Sequence, residues 1–195
     1  MRPVADAKRI YSFIHALAVK ADEETCVYLT GGATAVLVGW RTTTIDVDIK
    51  IVPDSDRLLR VIPELKETLQ INIELASPDL FIPPLPQWQE RSPLITKEGK
   101  IAFYHYDFYA QALAKIERGH SLDLSDVKAM LERKGLPHNN IDNLADAILP
   151  WFEVARSERS CNYVREDTLQ IQGKSASALR GRPTFGRLRR CSSLT

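Results

Sequence analysis

The sequence predicts an α+β fold, a small mixed sheet flanked by helices and followed by a helical C-terminal part. Two observations carry this prediction. Short β-type runs alternate with helical runs in the first half of the chain, and the last predicted elements are all helices. The hydrophobic fraction of 44% is ordinary for a globular protein, so the 195 residues have room for one domain with or without a tail.

The individual elements follow from the period of the apolar residues. Apolar residues at steps of three and four predict helices over residues 4–21, 33–40, 58–69, 108–118, 125–134 and 140–152. β-rich runs predict strands over residues 26–30, 44–52, 71–75 and 100–106, and two of these, 44–52 and 71–75, alternate between apolar and polar residues. Pro63 is expected to kink or divide its helix, and the proline-rich stretch 78–93 to form a loop.

Charge is unevenly distributed along the chain. Residues 156–195 hold nine Lys and Arg against three acidic residues, a net charge of +6, whereas residues 1–155 carry −5. We therefore predict a folded domain over 1–155, with a helical part over 107–155, and a basic, disordered tail over 156–195. The tail could bind an RNA backbone, or it could be solvated without a specific function.

Several classes of protein are excluded by what the sequence lacks. No apolar stretch approaches the roughly 20 residues of a membrane span, and the first residues lack the apolar region of a signal peptide. The three cysteines form no Cys-x-x-Cys pair. These features predict a cytoplasmic protein without a membrane partner.

Two carboxylates mark the predicted strand 44–52. Asp46 and Asp48 are two residues apart, so both project from one strand face, roughly 6.5–7 Å apart at the backbone. Anions so placed repel, and Mg²⁺ relieves that repulsion because it binds one or two carboxylates and completes its octahedron with water and phosphate oxygens. Two such ions could stabilise the attacking and leaving oxygens of a phosphoryl-type displacement. The alternative is a solvated strand face.

Glycines, hydroxyls and a third acid surround this pair. Gly31 and Gly32 separate a strand from a helix whose N-terminus offers N–H groups to a triphosphate, unless they form only a turn. Thr34 and Thr44 could add hydroxyl donors or serve as capping and strand residues. Glu74 lies on the polar face of the next strand, where it could complete a two-metal site, act as a general base, or simply be exposed.

These parts together resemble the nucleotidyltransferase superfamily of the DNA polymerase β type. In that superfamily a Gly-Gly turn opens a helix and an Asp-x-Asp strand follows; here thirteen residues separate Gly32 from Asp46. The run from Tyr106 to Val127 resembles the Lys…Arg…Asp-x-x-Asp block of the abortive-infection (AbiEii-like) toxin nucleotidyltransferases and their bacterial and archaeal relatives. The resemblance covers residues 27–131 and implies a polymerase β-like fold.

The resemblance implies a role for each residue that matches it. Gly31 and Gly32 match the phosphate-binding turn, although Ala33 stands where toxin-type turns often have a hydroxyl residue. Asp46 and Asp48 match the metal-binding pair. Glu74 is carried over as a third metal ligand or a general base.

The downstream block adds a cationic helix face. Lys115 matches the helical lysine that contacts nucleotide phosphates, and Arg118 shares its face at the i,i+3 spacing, so the pair could neutralise triphosphate charge. Asp123 or Asp126 matches the downstream acid of the nucleotide-binding block. The alternative is a salt bridge from this helix to Asp123 or Asp126 that holds two helices together.

The resemblance therefore implies an enzyme, a nucleotidyltransferase that depends on Mg²⁺ or Mn²⁺. It would move an NMP from an NTP to an acceptor hydroxyl, with RNA or protein favoured over a small molecule. A toxin–antitoxin or defence system, with a cognate toxin or antitoxin partner, is the implied setting. The alternative function is a non-catalytic module of the same fold that binds or regulates a partner in such a system.

Overall fold

The computed structural model describes residues 2–119 and 121–134 of the chain. The helices are α1 (Ala7–Lys20), α2 (Gly31–Val38), α3 (Asp56–Leu69), α4 (Phe108–Arg118) and α5 (Ser121–Lys134). The strands are β1 (Thr25–Thr30), β2 (Asp46–Val52), β3 (Asn72–Leu75), β4 (Leu94–Glu98) and β5 (Ile101–His105). The helix predicted over 140–152 and the predicted tail lie outside the described residues, so the domain boundary at 155 stays a prediction.

The five strands form one mixed sheet in the order β3-β2-β1-β5-β4. The β2/β3 and β1/β5 pairs are parallel, whereas the β1/β2 and β4/β5 pairs are antiparallel. Helices flank this sheet, so the predicted α+β class with a small mixed sheet is confirmed. In the described ranges, no helix is long and apolar enough to cross a bilayer.

One face of the sheet, which we call the apolar face, packs against α1 and α3. The alternation predicted for β2 places Val47, Ile49 and Ile51 on this face, where all three are buried. The stripes of the two helices complete the core with Ile10, Phe13, Ile14, Leu17, Leu58, Ile62 and Leu65. Hydrophobic burial at helical and strand periods thus determines this half of the molecule.

The opposite face, which we call the polar face, is covered by residues 77–93, α4 and α5. Trp88 from the covering segment stacks on Tyr106 at 4.3 Å between ring centroids and meets the edge of Tyr28 at 4.7 Å. Arg91 donates to the buried carboxylate of Asp107, which also caps α4 by accepting the N–H of Tyr109. The covering segment is therefore attached by ring stacking and an ion pair.

The structure narrows one prediction and adds a strand. Of the two outcomes expected at the exposed Pro63, a kinked or a divided helix, division does not occur: α3 is one helix that continues through Pro63. The sequence prediction also missed β4, an edge strand paired with β5 through a turn at Gly99. Buried and exposed residues do not alternate along β4, so the period of apolar and polar residues did not identify this strand.

Candidate active site

The acidic part of the polar face lies where β2 and β3 run side by side. In their parallel register Asp46 is opposite Asn72, and Asp48 is opposite Glu74. Asp46 and Asp48 are half-buried, whereas Glu74 is exposed. The strand that carries Glu74 therefore neighbours the strand of the Asp pair, as the sequence predicted, and three carboxylates share one face.

Asp48 has a perturbed pKa. Burial and, to a smaller extent, the negative charges of Asp46 and Glu74 together raise its pKa from 3.8 to about 6, against the opposing effect of Arg118 and Lys115. The nearby cations thus offset only part of the negative charge. The ionised form of Asp48 is therefore disfavoured, and an additional cation at this place would stabilise it.

Gly31 and Gly32 each lie so close to a side chain of a neighbouring segment that a Cβ atom would not fit. Gly31 has φ of +57°, and a Cβ there would lie 2.6 Å from Asp48 Oδ2. A Cβ on Gly32 would lie 2.0 Å from Thr44 Oγ1. The start of α2 can therefore pack directly against β2 and the acidic pair only because both residues lack a side chain.

The two predicted threonines serve the fold of this turn. Thr34 is fully buried, donates its hydroxyl hydrogen to Leu29 O at 2.9 Å and contacts His105 Nδ1 at 3.2 Å. Thr44 donates to Asp46 O at 2.9 Å. Both hydroxyl hydrogens thus bond to backbone carbonyls, Thr34 from within α2 and Thr44 just before β2, and a role of either residue in nucleotide binding stays a prediction.

Gln111 connects the glycine turn to α4, a contact that the sequence prediction missed. Its Oε1 accepts the N–H of Gly31 at 3.0 Å, and its Nε2 donates to Tyr106 O at 2.7 Å. The side chain is buried within an alanine-rich helix face. A polar residue in that apolar run was the only signal in the sequence. One N–H of the predicted phosphate-binding turn is thus already bonded within the protein.

Lys115 lies at the centre of a buried ionic cluster. Its Nζ donates to Asp123 Oδ1 at 2.8 Å and to Asp126 Oδ2 at 2.7 Å, and its side chain is only 6% exposed. Arg118 also donates to Asp123 Oδ1, at 2.8 Å. The salt bridge between the helices, the alternative interpretation of this block, is therefore present in the structure.

Arg41 completes the cluster from the chain that follows α2. It contacts both carboxylate oxygens of Asp126, from Nε and from Nη2, at 2.8 Å each. Burial alone would raise the pKa of Asp123, but its bonds to Lys115 and Arg118 hold the pKa below its usual value. Arg41 had no signal in the sequence, because it lies 85 residues from its partner.

A narrow pocket of about 40 Å³ connects the glycine turn to the cationic helix face. Of the predicted site residues, it brings together Gly31, Asp48, Lys115 and Arg118. Its remaining lining comes from Thr30, Ala76, Ser77, Pro78, Phe81, Gln111 and Ala114. One carboxylate, Asp48, and two cations, Lys115 and Arg118, therefore line the same small pocket.

The donor set suits a hard cation held by few protein ligands. Among residues 2–119 and 121–134, no group of three or more His, Cys, Asp or Glu side chains is close enough to hold a metal ion. Two neighbouring carboxylates, Asp46 and Asp48, are present, and the pKa of Asp48 is raised by burial and by the like charges beside it. Mg²⁺ commonly binds through one or two carboxylates and takes its other ligands from water and phosphate.

Comparison with known proteins gives one family and one similar structure. The family model described as "Nucleotidyltransferase of unknown function (DUF6036)" matches residues 6–168, well over half of the chain. A crystal structure of an antigenic nucleotidyltransferase-like protein from Paracoccidioides brasiliensis is similar, with 14% identity and a TM-score of 0.45 over 91% of this chain and 95% of that chain. No curated protein matches the sequence.

Proposed function

Because the chain belongs to this nucleotidyltransferase family, we propose that it transfers an NMP from an NTP to an acceptor hydroxyl, in dependence on Mg²⁺ or Mn²⁺. The observation that supports this most is the pocket in which Gly31, Asp48, Lys115 and Arg118 meet. An anion-binding helix start, a metal-binding carboxylate and two cations are the parts that phosphoryl chemistry requires.

In the proposed reaction the acceptor oxygen forms a bond to the α-phosphorus, and the bond from that phosphorus to the bridging oxygen of the β-phosphate breaks. Pyrophosphate leaves, and the proton of the acceptor hydroxyl passes to a site carboxylate or to water. Asp46 and Asp48 would hold a divalent cation, which would supply charge neutralisation at the phosphoryl oxygens. Arg118 and Lys115 line the pocket and would attract the phosphates.

The acceptor and biological setting are part of the same proposal. The Lys…Arg…Asp-x-x-Asp block supports a relation to AbiEii-like toxin nucleotidyltransferases, hence an RNA or protein acceptor and a cognate toxin or antitoxin partner. Residues 156–195, with a net charge of +6, offer electrostatic attraction to RNA.

Label transfer tests this function. The full chain is incubated with each α-³²P-labelled NTP, Mg²⁺ and either total RNA or total protein, and pyrophosphate release is followed in parallel. We expect one acceptor class to become labelled. Asp46→Asn/Asp48→Asn should reduce labelling at least 100-fold, whereas Asp54→Asn/Asp56→Asn, a second Asp-x-Asp pair eight residues downstream, should label normally. Equal labelling by both double variants would contradict the assignment of the site.

One observation favours the non-catalytic alternative. Lys115 is bonded to two aspartates, and the N–H of Gly31 is bonded to Gln111, so two groups expected to bind phosphates already have partners within the protein. A module that binds a partner through this fold needs no free phosphate-binding groups. Absence of both NTP binding and labelling, together with capture of a cognate partner protein, would favour this function.

A further inference from the structure

Asn72 links two of the three carboxylates on the polar face. Its Nδ2 donates to Asp46 Oδ1 at 2.5 Å and to Glu74 Oε1 at 3.1 Å. The amide has two N–H hydrogens, so each carboxylate receives one. Asn72 thus lies between two groups that would otherwise repel each other.

The register of the strands creates this bridge. Asn72 faces Asp46 directly across the β2/β3 ladder, and it shares a strand face with Glu74 two residues on. Asn72 is half-buried, whereas Glu74 is exposed. The exposed carboxylate of Glu74 therefore restrains the side-chain amide of Asn72, and this amide in turn restrains the carboxylate of Asp46.

We propose that Asn72 is a positioning residue for metal binding, which orients Asp46, and that Glu74 acts through Asn72 rather than as a metal ligand. The inference rests on the proposed function and refines it, since Glu74 was expected to bind metal or act as a base. In the described ranges no three acidic side chains are close enough together to hold a metal ion, and Glu74 Oε1 instead accepts a hydrogen bond from Asn72. Partners that hydrogen-bond a ligating carboxylate fix its orientation, and their loss typically weakens metal binding 10–100-fold.

Mn²⁺ titration of the metal-free full chain, by calorimetry, tests this inference. Asn72→Ala should weaken Mn²⁺ binding 10–100-fold, and Asn72→Ser, which keeps one donor, should fall between this variant and the original chain. The Mn²⁺ affinity of Glu74→Gln should be within about fivefold of that of the original chain. Its amide oxygen can still accept a hydrogen bond from Asn72, and only an exposed charge is lost. Glu74→Ala should resemble Asn72→Ala, and the double variant Asn72→Ala/Glu74→Ala should be no weaker than Asn72→Ala alone.

Controls separate positioning from folding. Thr96→Ala, on the opposite edge strand, should bind Mn²⁺ normally. Thermal unfolding in EDTA should show that the Asn72 variants remain folded. If Asn72→Ala does not fold, the Mn²⁺ affinity of Asn72→Ser tests the positioning role instead.

Two results would overturn the inference alone, and a third would overturn it together with the proposed function. If Asn72→Ala binds as tightly as the original chain while Asp46→Asn/Asp48→Asn does not bind, the inference fails and the proposed metal site stands. The inference also fails if Glu74→Gln and Glu74→Ala lose affinity equally and additively to Asn72→Ala, since Glu74 would then be a ligand. If the original chain itself does not bind Mn²⁺, the proposed function fails, and the role of Asn72 fails with it.

Discussion

The two faces of the sheet pack against different parts of the chain, and they are stabilised by different interactions. The apolar face packs Val47, Ile49 and Ile51 against two amphipathic helices. The polar face packs aromatic rings beside three carboxylates, and it lies beneath a cluster in which three cations bond to two buried aspartates. Burial on the first face is non-directional, whereas each charged group near the second depends on a particular partner.

This difference determines how tolerant each face should be. A core held by apolar packing accepts substitutions that preserve volume, at a cost below about 1.5 kcal/mol. Removing one partner of a buried ion pair lowers the free energy of unfolding strongly, because the other charge stays buried without compensation. Substitutions of similar size should therefore have different effects on the two faces.

The largest difference is expected between Lys115→Met and Leu17→Met. Lys115→Met keeps the side-chain stem but leaves Asp123 and Asp126 without their shared cation, so it should lower the free energy of unfolding by about 3–5 kcal/mol. Leu17→Met, in the fully buried stripe of α1, should lower it by less than about 1.5 kcal/mol. Urea denaturation with linear extrapolation measures both. Equal effects would mean that the ionic cluster contributes no specific stability.

Two glycine substitutions compare a turn that contacts the acidic pair with a turn that does not. Gly31→Ala and Gly99→Ala both place a side chain at positive φ, +57° and +55°, so each should lose about 1–2 kcal/mol of stability. Only Gly31→Ala must also displace Asp48, since the Cβ at residue 99 has no neighbour closer than 3.6 Å.

We therefore expect Gly31→Ala to be the less stable variant and the only one of the two to lose Mn²⁺ affinity in calorimetric titration. Loss of Mn²⁺ affinity by Gly99→Ala as well would show that general destabilisation, and not displacement of Asp48, is the cause.

The smallest effect concerns pH. The pKa of Asp48 is about 6 in the folded protein and 3.8 without the fold, so the folded protein holds a proton through that interval that the unfolded chain has lost. Its contribution to stability therefore falls as pH rises from about 4 to 6, and the full penalty persists above pH 6. Two pKa units correspond to about 2.7 kcal/mol at most, and partial exposure reduces this to about 1–2 kcal/mol.

Asp48→Asn removes this titration. In EDTA the variant should equal the original chain near pH 4 and exceed its stability by about 1–2 kcal/mol at pH 8, as measured by urea denaturation across the range. Mn²⁺ should stabilise only the original chain. A stability difference that is independent of pH would contradict the raised pKa that burial and the neighbouring carboxylates give Asp48.

The predicted elements were most accurate where one physical signal acts over short distances. Strict alternation over residues 44–52 placed Asp46 and Asp48 on one face, and the same pattern over 71–75 placed Glu74 on the polar face of the neighbouring strand. Helix α4 was predicted with the bounds that the structure has, Phe108–Arg118. Edge strand β4 was missed because its exposed residues carry no such alternation.

The candidate site was predicted less completely than the fold. The residue types and the neighbouring strands could be predicted, since period-two alternation and the order of elements limit where carboxylates can lie. The three connecting side chains, Asn72, Gln111 and Arg41, could not be assigned roles. Two of them bond to partners 80 and 85 residues away, and a distance along the chain contains no information about hydrogen-bond geometry.

By itself, the sequence determined the α+β class and the face on which Asp46 and Asp48 lie, because these depend on the local period of apolar and polar residues. Only the tertiary structure decided that Lys115 bonds to Asp123 and Asp126 and that Asn72 separates Asp46 from Glu74. The physical reason is range. Burial patterns repeat along a single helix or strand, whereas a buried charge selects its partner from whichever elements the complete fold brings within hydrogen-bond distance.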